Sequence, residues 1–390
     1  MREPMDISQI ELKNVPCIEF DCTCGRTHKS GIKHISVGSG SIQSLPFYLK
    51  DFKNVFIVSD NNTYEVCGKN VISVLEEQGY SVSQCTLFSK GFLVPDEKAL
   101  GSILVEIPSD TDILIGTGSG TINDLCRMIS YKCHIPYIIV ATAPSMDGYA
   151  SSVSSLIVKE SKQTFETVFP YAIIADTDVL KDAPLNMLQA GFGDIMGKVT
   201  AMADWRLSHR INDEYYCDTS VALVNRAMQK CIDNLYGIVK RSPDAIKALI
   251  EALIISGVAM GFVGNSRPAS GAEHHLAHYW ETDALSKGQE HNLHGISVGV
   301  GTVVISRLYN FVNNFKPIGL EIPDSKYVEY MLARAGVPVS PLEIGITKSV
   351  FHRSLLKAME IRPRFTILRY AAQIGILEEI ASSITSFYYK

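Results

Sequence analysis

Residues 54–59 read Asn-Val-Phe-Ile-Val-Ser, apolar at nearly every position, and end at Asp60. A strand buried on both faces has this pattern, whereas a half-exposed strand alternates. The same unit then recurs. Helices are expected over 71–78, 96–107 and 121–130, and strands over 81–88, 112–115 and 137–141, with a short first strand over 34–40. Strands alternating with helices imply βαβ units and a parallel sheet, with ligands at the carboxyl ends of the strands. Short strands over 154–159, 164–168 and 171–175 read as a hairpin and a sheet edge. After Asp178 the β-branched runs give way to helical periodicity: 186–208, 220–240, 243–263, 271–285, 294–313, 324–335, 347–359 and 365–375. The chain therefore reads as an α/β domain with a parallel sheet (1–180) followed by an all-α domain (181–390).

Length supports two domains, since 390 residues exceed one typical unit. A formal charge of -5 with no long basic block argues against nucleic acid and anionic membranes as partners. Met1–Lys13 lacks an apolar h-region, so no secretory signal is expected. The most apolar run, 252–264, is about 13 residues, too short for a bilayer span and suited to a buried helix. Nine scattered cysteines, an odd number, suit reduced thiols and a cytoplasmic setting. Cys22, Cys24 and His28 form an incomplete zinc pattern, and a tight β-turn is the simpler reading. Gly38-Ser39-Gly40-Ser41 is a turn that could also hold an anion.

Ten histidines serve the whole chain, and His274, His275 and His278 fall within five positions, with His291 and His294 soon after. Ser270 and Glu273 read as a capping box, so a helix should start near Gly271. On it His274 and His278 share a face, while His275 is turned away. Such a cluster suits a borderline divalent metal such as Zn or Ni. Asp194 is a lone acid in an apolar stretch and needs a partner. With two histidines it would make a three-ligand site with a position open to substrate. Lys198, one turn on, could bind an anionic substrate or simply be solvated.

Two further motifs leave strands. Gly118-Ser119-Gly120-Thr121, running on to Asp124, enters a helix whose free N–H groups could cradle a pyrophosphate. Counted from Gly116 and Gly118 it is not G-x-G-x-x-G, because Thr121 stands where the third glycine should be. Thr142, Ser145 and Ser151 can bind phosphate or amide groups, and Asp147 before Gly148 can point into a cleft. Asp60 ends an earlier strand, where it can hold a ribose or cap a helix.

These motifs, in this order, resemble the polyol dehydrogenase superfamily of glycerol dehydrogenase, dehydroquinate synthase and iron-type alcohol dehydrogenases. Within it the resemblance is to the bacterial sn-glycerol-1-phosphate dehydrogenases. It rests on residues 118–124, 142–151, 198–205, 266–274 and 362–368, together with the Cys22–His28 opening. The resemblance implies a dinucleotide-binding domain and a metal- and substrate-binding helical domain with the site between them, in a homodimer. It implies metal-dependent, reversible reduction of dihydroxyacetone phosphate by NADH or NADPH. The implied metal ligands are Asp194, His274 and His294 for Zn or Ni, with Fe also suitable. Asp147 and His278 become substrate contacts, with His278 or a water it orders as proton source. Lys198 and Arg267 are candidates for the substrate phosphate. Asp60, Gly118, Ser119, Gly120, Thr121, Asp124, Thr142, Ser145 and Ser151 fall to the cofactor. Where relatives read His-Gly-Glu-Gln-Val-Gly, this chain reads His294-Gly-Ile-Ser-Val-Gly. The missing Glu puts the support of that ligand in doubt and makes His291 a rival. The alternatives are a dehydrogenase of unphosphorylated polyols, a cyclase resembling dehydroquinate synthase, or a silent nucleotide-binding relative.

Overall fold

A computed structural model of the chain describes residues 10–89, 91–159 and 161–390; most of the polar N-terminal stretch lies outside them. A hairpin of β1 (Glu19–Asp21) and β2 (Thr27–Lys29) comes first. β3 (His34–Gly38), β4 (Asn54–Asp60), β5 (Ser81–Leu87), β6 (Ile113–Gly118) and β7 (Tyr137–Ala141) follow, then a separate hairpin of β8 (Val153–Val158) and β9 (Ser161–Glu166), then β10 (Ala172–Asp176). Six strands form one parallel sheet in the order β3-β10-β7-β6-β4-β5. The expected edge strand is thus interior: β10 lies between β3 and β7. From β4 the chain moves outward to β5 and then returns across β4 to β6, so the order reverses between Asp60 and Gly118. In open α/β sheets such a reversal opens the ligand crevice.

β6, β7 and β10 are buried at every residue, which explains their unbroken apolar runs. The helices α1 (Lys69–Glu76), α2 (Glu97–Glu106) and α3 (Gly120–Cys133) return the chain between strands. The Gly38–Ser41 turn does not await an external anion. The Asp176 carboxylate accepts from the N–H groups of Gly40 at 3.1 Å and Ile42 at 3.2 Å.

The second half is helical: α4 (Leu185–Asn212), α5 (Asp218–Asp233), α6 (Pro243–Val263), α7 (Ala272–Ser286) and α8 (His294–Phe315), then Ser325–Arg334, Lys348–Lys357, Ile367–Gln373 and Leu377–Tyr388. The last was not expected, and the segment 220–240 breaks at Asn234 into α5 and Leu235–Val239. α6 has the bounds expected for it, 243–263, and extends well before its most apolar run. Both α6 and α8 are long and apolar enough to cross a membrane, and both are largely buried inside the fold.

α4 and α8 approach at glycines. A Cβ on Gly295 would lie 1.8 Å from the Ala190 carbonyl oxygen, and one on Gly193 would lie 2.3 Å from that of Gly295. Only glycine permits this contact of backbones. It sets Asp194 and His294, the neighbours of Gly193 and Gly295, against each other.

Candidate active site

Asp194, on α4, is fully buried; His274, on α7, is nearly so; His294 opens α8 half-buried. One ligand atom from each lies within 4.8 Å of the others, a spacing that suits one metal ion. The ring centroids of His274 and His294 are 5.2 Å apart, and His274 Nε2 is 3.6 Å from Asp194 Oδ1. Each ring is held from behind. His274 Nδ1 lies 2.7 Å from Glu273 Oε1, and His294 Nδ1 lies 2.8 Å from Glu281 Oε1. A carboxylate on Nδ1 fixes the proton there and turns the Nε2 lone pair towards the metal position. Burial opposes charge on His274, but its bonds to Asp194 and Glu273 raise its pKa. His291 faces the Asn292 carbonyl at 2.8 Å and stands apart from the three. His275 is fully buried, with no hydrogen-bond partner for either ring nitrogen, and burial pushes it down to about 3. It is a bystander.

The expected capping box is made differently. Glu273 reaches back to the Gly271 N–H at 2.6 Å, but Ser270 does not cap. The Ala272 N–H is taken instead by Asp204 Oδ2 at 2.7 Å, from α4.

Lys198 is neither solvated nor free for a substrate phosphate. It is fully buried, with Nζ 2.8 Å from Asp194 Oδ1 and 2.7 Å from Asp147 Oδ2. Burial resists ionisation of Asp194, yet Lys198 holds its carboxyl well below the usual range. Asp147 also accepts from Ser256 at 2.9 Å, and its backbone N–H donates to Asp194 Oδ2 at 2.9 Å. Arg267 is likewise committed: its guanidinium pairs with Glu214 and donates to the Phe365 carbonyl. Beside Lys198, and Lys162 which pairs with Glu281, the site holds two arginines, Arg362 and Arg364. Arg362 reaches His278 Nε2 at 3.2 Å, and Arg364 donates to Ser266 and to the Ser270 carbonyl. Their hydrogen-bond partners are neutral, and burial, then Arg362, pushes Arg364 down to about 9. His278 bonds Glu281 Oε2 through Nδ1 at 3.2 Å, and burial, then Lys162, keeps it well below its ordinary pKa. A neutral ring facing a donor at Nε2 has no proton there to give, so direct protonation by His278 is not supported.

At the sheet crevice Gly118 ends β6 and Ser119 precedes α3 without capping it, which leaves the first N–H groups of the helix open. Thr142, Ser145 and Ser151 are buried beyond β7; Thr142 N–H bonds the Gly118 carbonyl at 3.1 Å, and Ser151 Oγ accepts from Val153 N–H. Thr121 donates to the Leu93 carbonyl at 3.2 Å. Two expected cofactor contacts have other work. Asp60 caps the turn after β4, its Oδ1 accepting from the N–H groups of Asn62 and Thr63. Asp124 accepts from Arg127 at 2.9 Å, and burial raises its pKa to about 6 despite that cation.

Residues 36–184 match the family model described as iron-containing alcohol dehydrogenase. The glycerol-1-phosphate dehydrogenase [NAD(P)+] of Bacillus licheniformis is 36% identical over 372 residues, covering 91% of this chain and 93% of that protein. That of Halalkalibacterium halodurans is 37% identical, covering 92% and 96%. The chain belongs to the glycerol-1-phosphate dehydrogenase family. It is an NAD(P)-linked oxidoreductase of the iron-type alcohol dehydrogenase fold. Solved structures share that fold at low identity. Glycerol dehydrogenase of Schizosaccharomyces pombe superposes with a TM-score of 0.69 at 20% identity, covering 91% of each chain. Sulfoacetaldehyde reductase of Bifidobacterium kashiwanohense, in complex with NAD+, gives 0.72 at 14%, covering 93% and 98%.

The residues that meet the site without having been singled out in the sequence are Glu281, Arg362 and Arg364. Arg362 and Arg364 lie within a segment that carried the resemblance, but nothing local said where they point. Glu281 lies inside the helix expected over 271–285, and nothing local says that it faces His294.

Proposed function

We propose that the protein reduces dihydroxyacetone phosphate to sn-glycerol 1-phosphate, reversibly, with one divalent ion held by Asp194, His274 and His294. The observation that carries this is the pair of buried carboxylates, Glu273 and Glu281, each fixing one ring nitrogen of a histidine whose other nitrogen faces Asp194. When bound, the ion supplies Lewis acidity at the substrate carbonyl and the nicotinamide supplies hydride. Mixed oxygen and imidazole donors suit Zn, Ni or Fe.

The chain's own groups do the rest. Lys198 bridges Asp147 and Asp194 and keeps both carboxylates fixed. Arg362 and Arg364, with neutral partners, receive the substrate phosphate in place of Lys198 and Arg267. His278, held by Glu281, orients substrate and orders the water that returns a proton to the product oxygen. The open N-terminus of α3 takes the cofactor pyrophosphate, with Thr142, Ser145 and Ser151 beside it. Residues 1–180 would bind the nucleotide, and 181–390 the metal and substrate. The protein would act in the cytoplasm, where its nine free cysteines stay reduced, and as a homodimer, as the family resemblance implies.

The test is cofactor oxidation by dihydroxyacetone phosphate after chelation and add-back of single metals. Activity restored by one of them and abolished in His274→Ala is expected. No oxidation of NADH or NADPH with any metal would remove the proposal. Faster turnover of glycerol than of glycerol 1-phosphate would favour an unphosphorylated substrate.

A further inference from the structure

Cys22, Cys24 and His28 ride on the β1–β2 hairpin and do not complete a metal site by themselves. The fold brings up a fourth group. Cys217, the residue before α5, sets its Sγ 3.9 Å from Cys22 Sγ and 3.4 Å from His28 Nε2. Cys24 Sγ lies 3.3 Å from the same nitrogen. One ligand atom from each of the four lies within 4.8 Å of the others. We propose that Cys22, Cys24, His28 and Cys217 bind one structural zinc ion that fastens the N-terminal hairpin to the helical half of the molecule.

The spacing fits. Tetrahedral bonds of about 2.3 Å to sulfur and about 2.0 Å to nitrogen put sulfurs about 3.8 Å apart and sulfur about 3.5 Å from nitrogen. A disulfide needs about 2.05 Å, and all nine cysteines are free. Three soft sulfurs and an imidazole select zinc, and four protein donors leave no position for a substrate, so the site is structural.

The surroundings orient the donors. His28 Nδ1 lies 2.7 Å from the Phe262 carbonyl oxygen. A carbonyl only accepts, so the ring proton sits on Nδ1 and the Nε2 lone pair faces the sulfurs. Phe20 and Phe262 pack on the ring, with centroids 5.3 and 5.6 Å away. The Thr219 hydroxyl donates to Cys22 Sγ at 3.2 Å, and the Ser220 N–H to Cys217 Sγ at 3.4 Å. Tyr215 OH lies 3.1 Å from Cys24 Sγ. Donors around sulfur stabilise thiolate, the form that binds metal. The site shares no residue with the Asp194 centre.

The test uses the full-length protein purified with zinc present. One zinc per chain should survive an EDTA treatment that abolishes activity, and should be released by a mercurial that titrates thiols. Cys217→Ser should lower the zinc content by one per chain, whereas His274→Ala should keep this zinc, so this site and the proposed active site are read separately. Because Cys217→Ser can fail to fold, cobalt substitution of the unaltered protein provides a second readout. It should show thiolate-to-cobalt charge transfer in the near ultraviolet and strong tetrahedral visible bands. Absence of those bands together with no mercurial-released zinc would overturn the proposal. So would a Cys22–Cys217 disulfide in the purified protein, or full zinc retention in soluble Cys217→Ser.

Discussion

Glu281 Oε1 lies 2.8 Å from Nδ1 of His294, thirteen residues away and on a different helix. The same carboxylate serves His278 and Lys162 through Oε2, at 3.2 and 2.6 Å. It is buried, and burial works against its charge, yet Lys162 and His294 keep its pKa well below the ordinary value. His294 is thus supported from another helix, although Ile296 and Ser297 in its own segment offer it no carboxylate.

Glu281→Gln should therefore weaken metal binding. An amide can present its oxygen to only one of the three partners, and loss of such a supporting group typically costs about 10–100-fold in affinity. Competition with a chelator measures this directly. An unchanged affinity would mean that the carboxylate does not position His294.

Arg362→Ala should raise KM for dihydroxyacetone phosphate by about tenfold or more, corresponding to a charge-assisted contact of roughly 1.5–3 kcal/mol. Turnover of unphosphorylated dihydroxyacetone should change little. Arg267→Ala should behave differently, because it leaves Glu214 without its guanidinium partner. Breaking a buried pair costs about 3–5 kcal/mol, and the half-exposed Glu214 places this loss at the lower end, visible in urea unfolding.

Gly295→Ala tests the helix crossing. The added Cβ would meet the Ala190 backbone oxygen, which cannot rotate aside as a side chain does. Overpacking of this kind costs about 1–3 kcal/mol or more. Metal affinity should fall with stability, since the clash drives Asp194 and His294 apart. A variant with normal metal affinity would show that the crossing is not what sets the site.

Asp204 gives a pH dependence. Burial and then Glu273 push it up to about 7, although Tyr309, Ala272 and Ile367 all donate to it. Above the unfolded pKa of about 4, the unfolded chain gives up this proton while the folded one keeps it. The folded state then binds more protons, so this residue's contribution falls as pH rises from about 4 to about 7, by at most about 1.4 kcal/mol per pH unit. Across that window the urea midpoint of the native protein should fall, as pH rises, relative to that of Asp204→Asn. Parallel curves would contradict the raised pKa.

The sequence alone determined the alternation that makes a parallel sheet, the change to helices after Asp178, and the segments 118–124, 142–151 and 266–274 that carry the family. These are local: an apolar period or a run of glycine and small polar residues is visible within a dozen positions. Tertiary structure decided which groups those segments meet. Lys198 looked available to substrate until Asp147 and Asp194 closed on it. Arg267 looked available to a phosphate until Glu214 took its guanidinium. Glu281 became a histidine support and Cys217 a fourth cysteine-site donor only through packing across long stretches of chain. Such pairings depend on where helices cross, here fixed by two glycines, and no local period of hydrophobicity encodes a crossing.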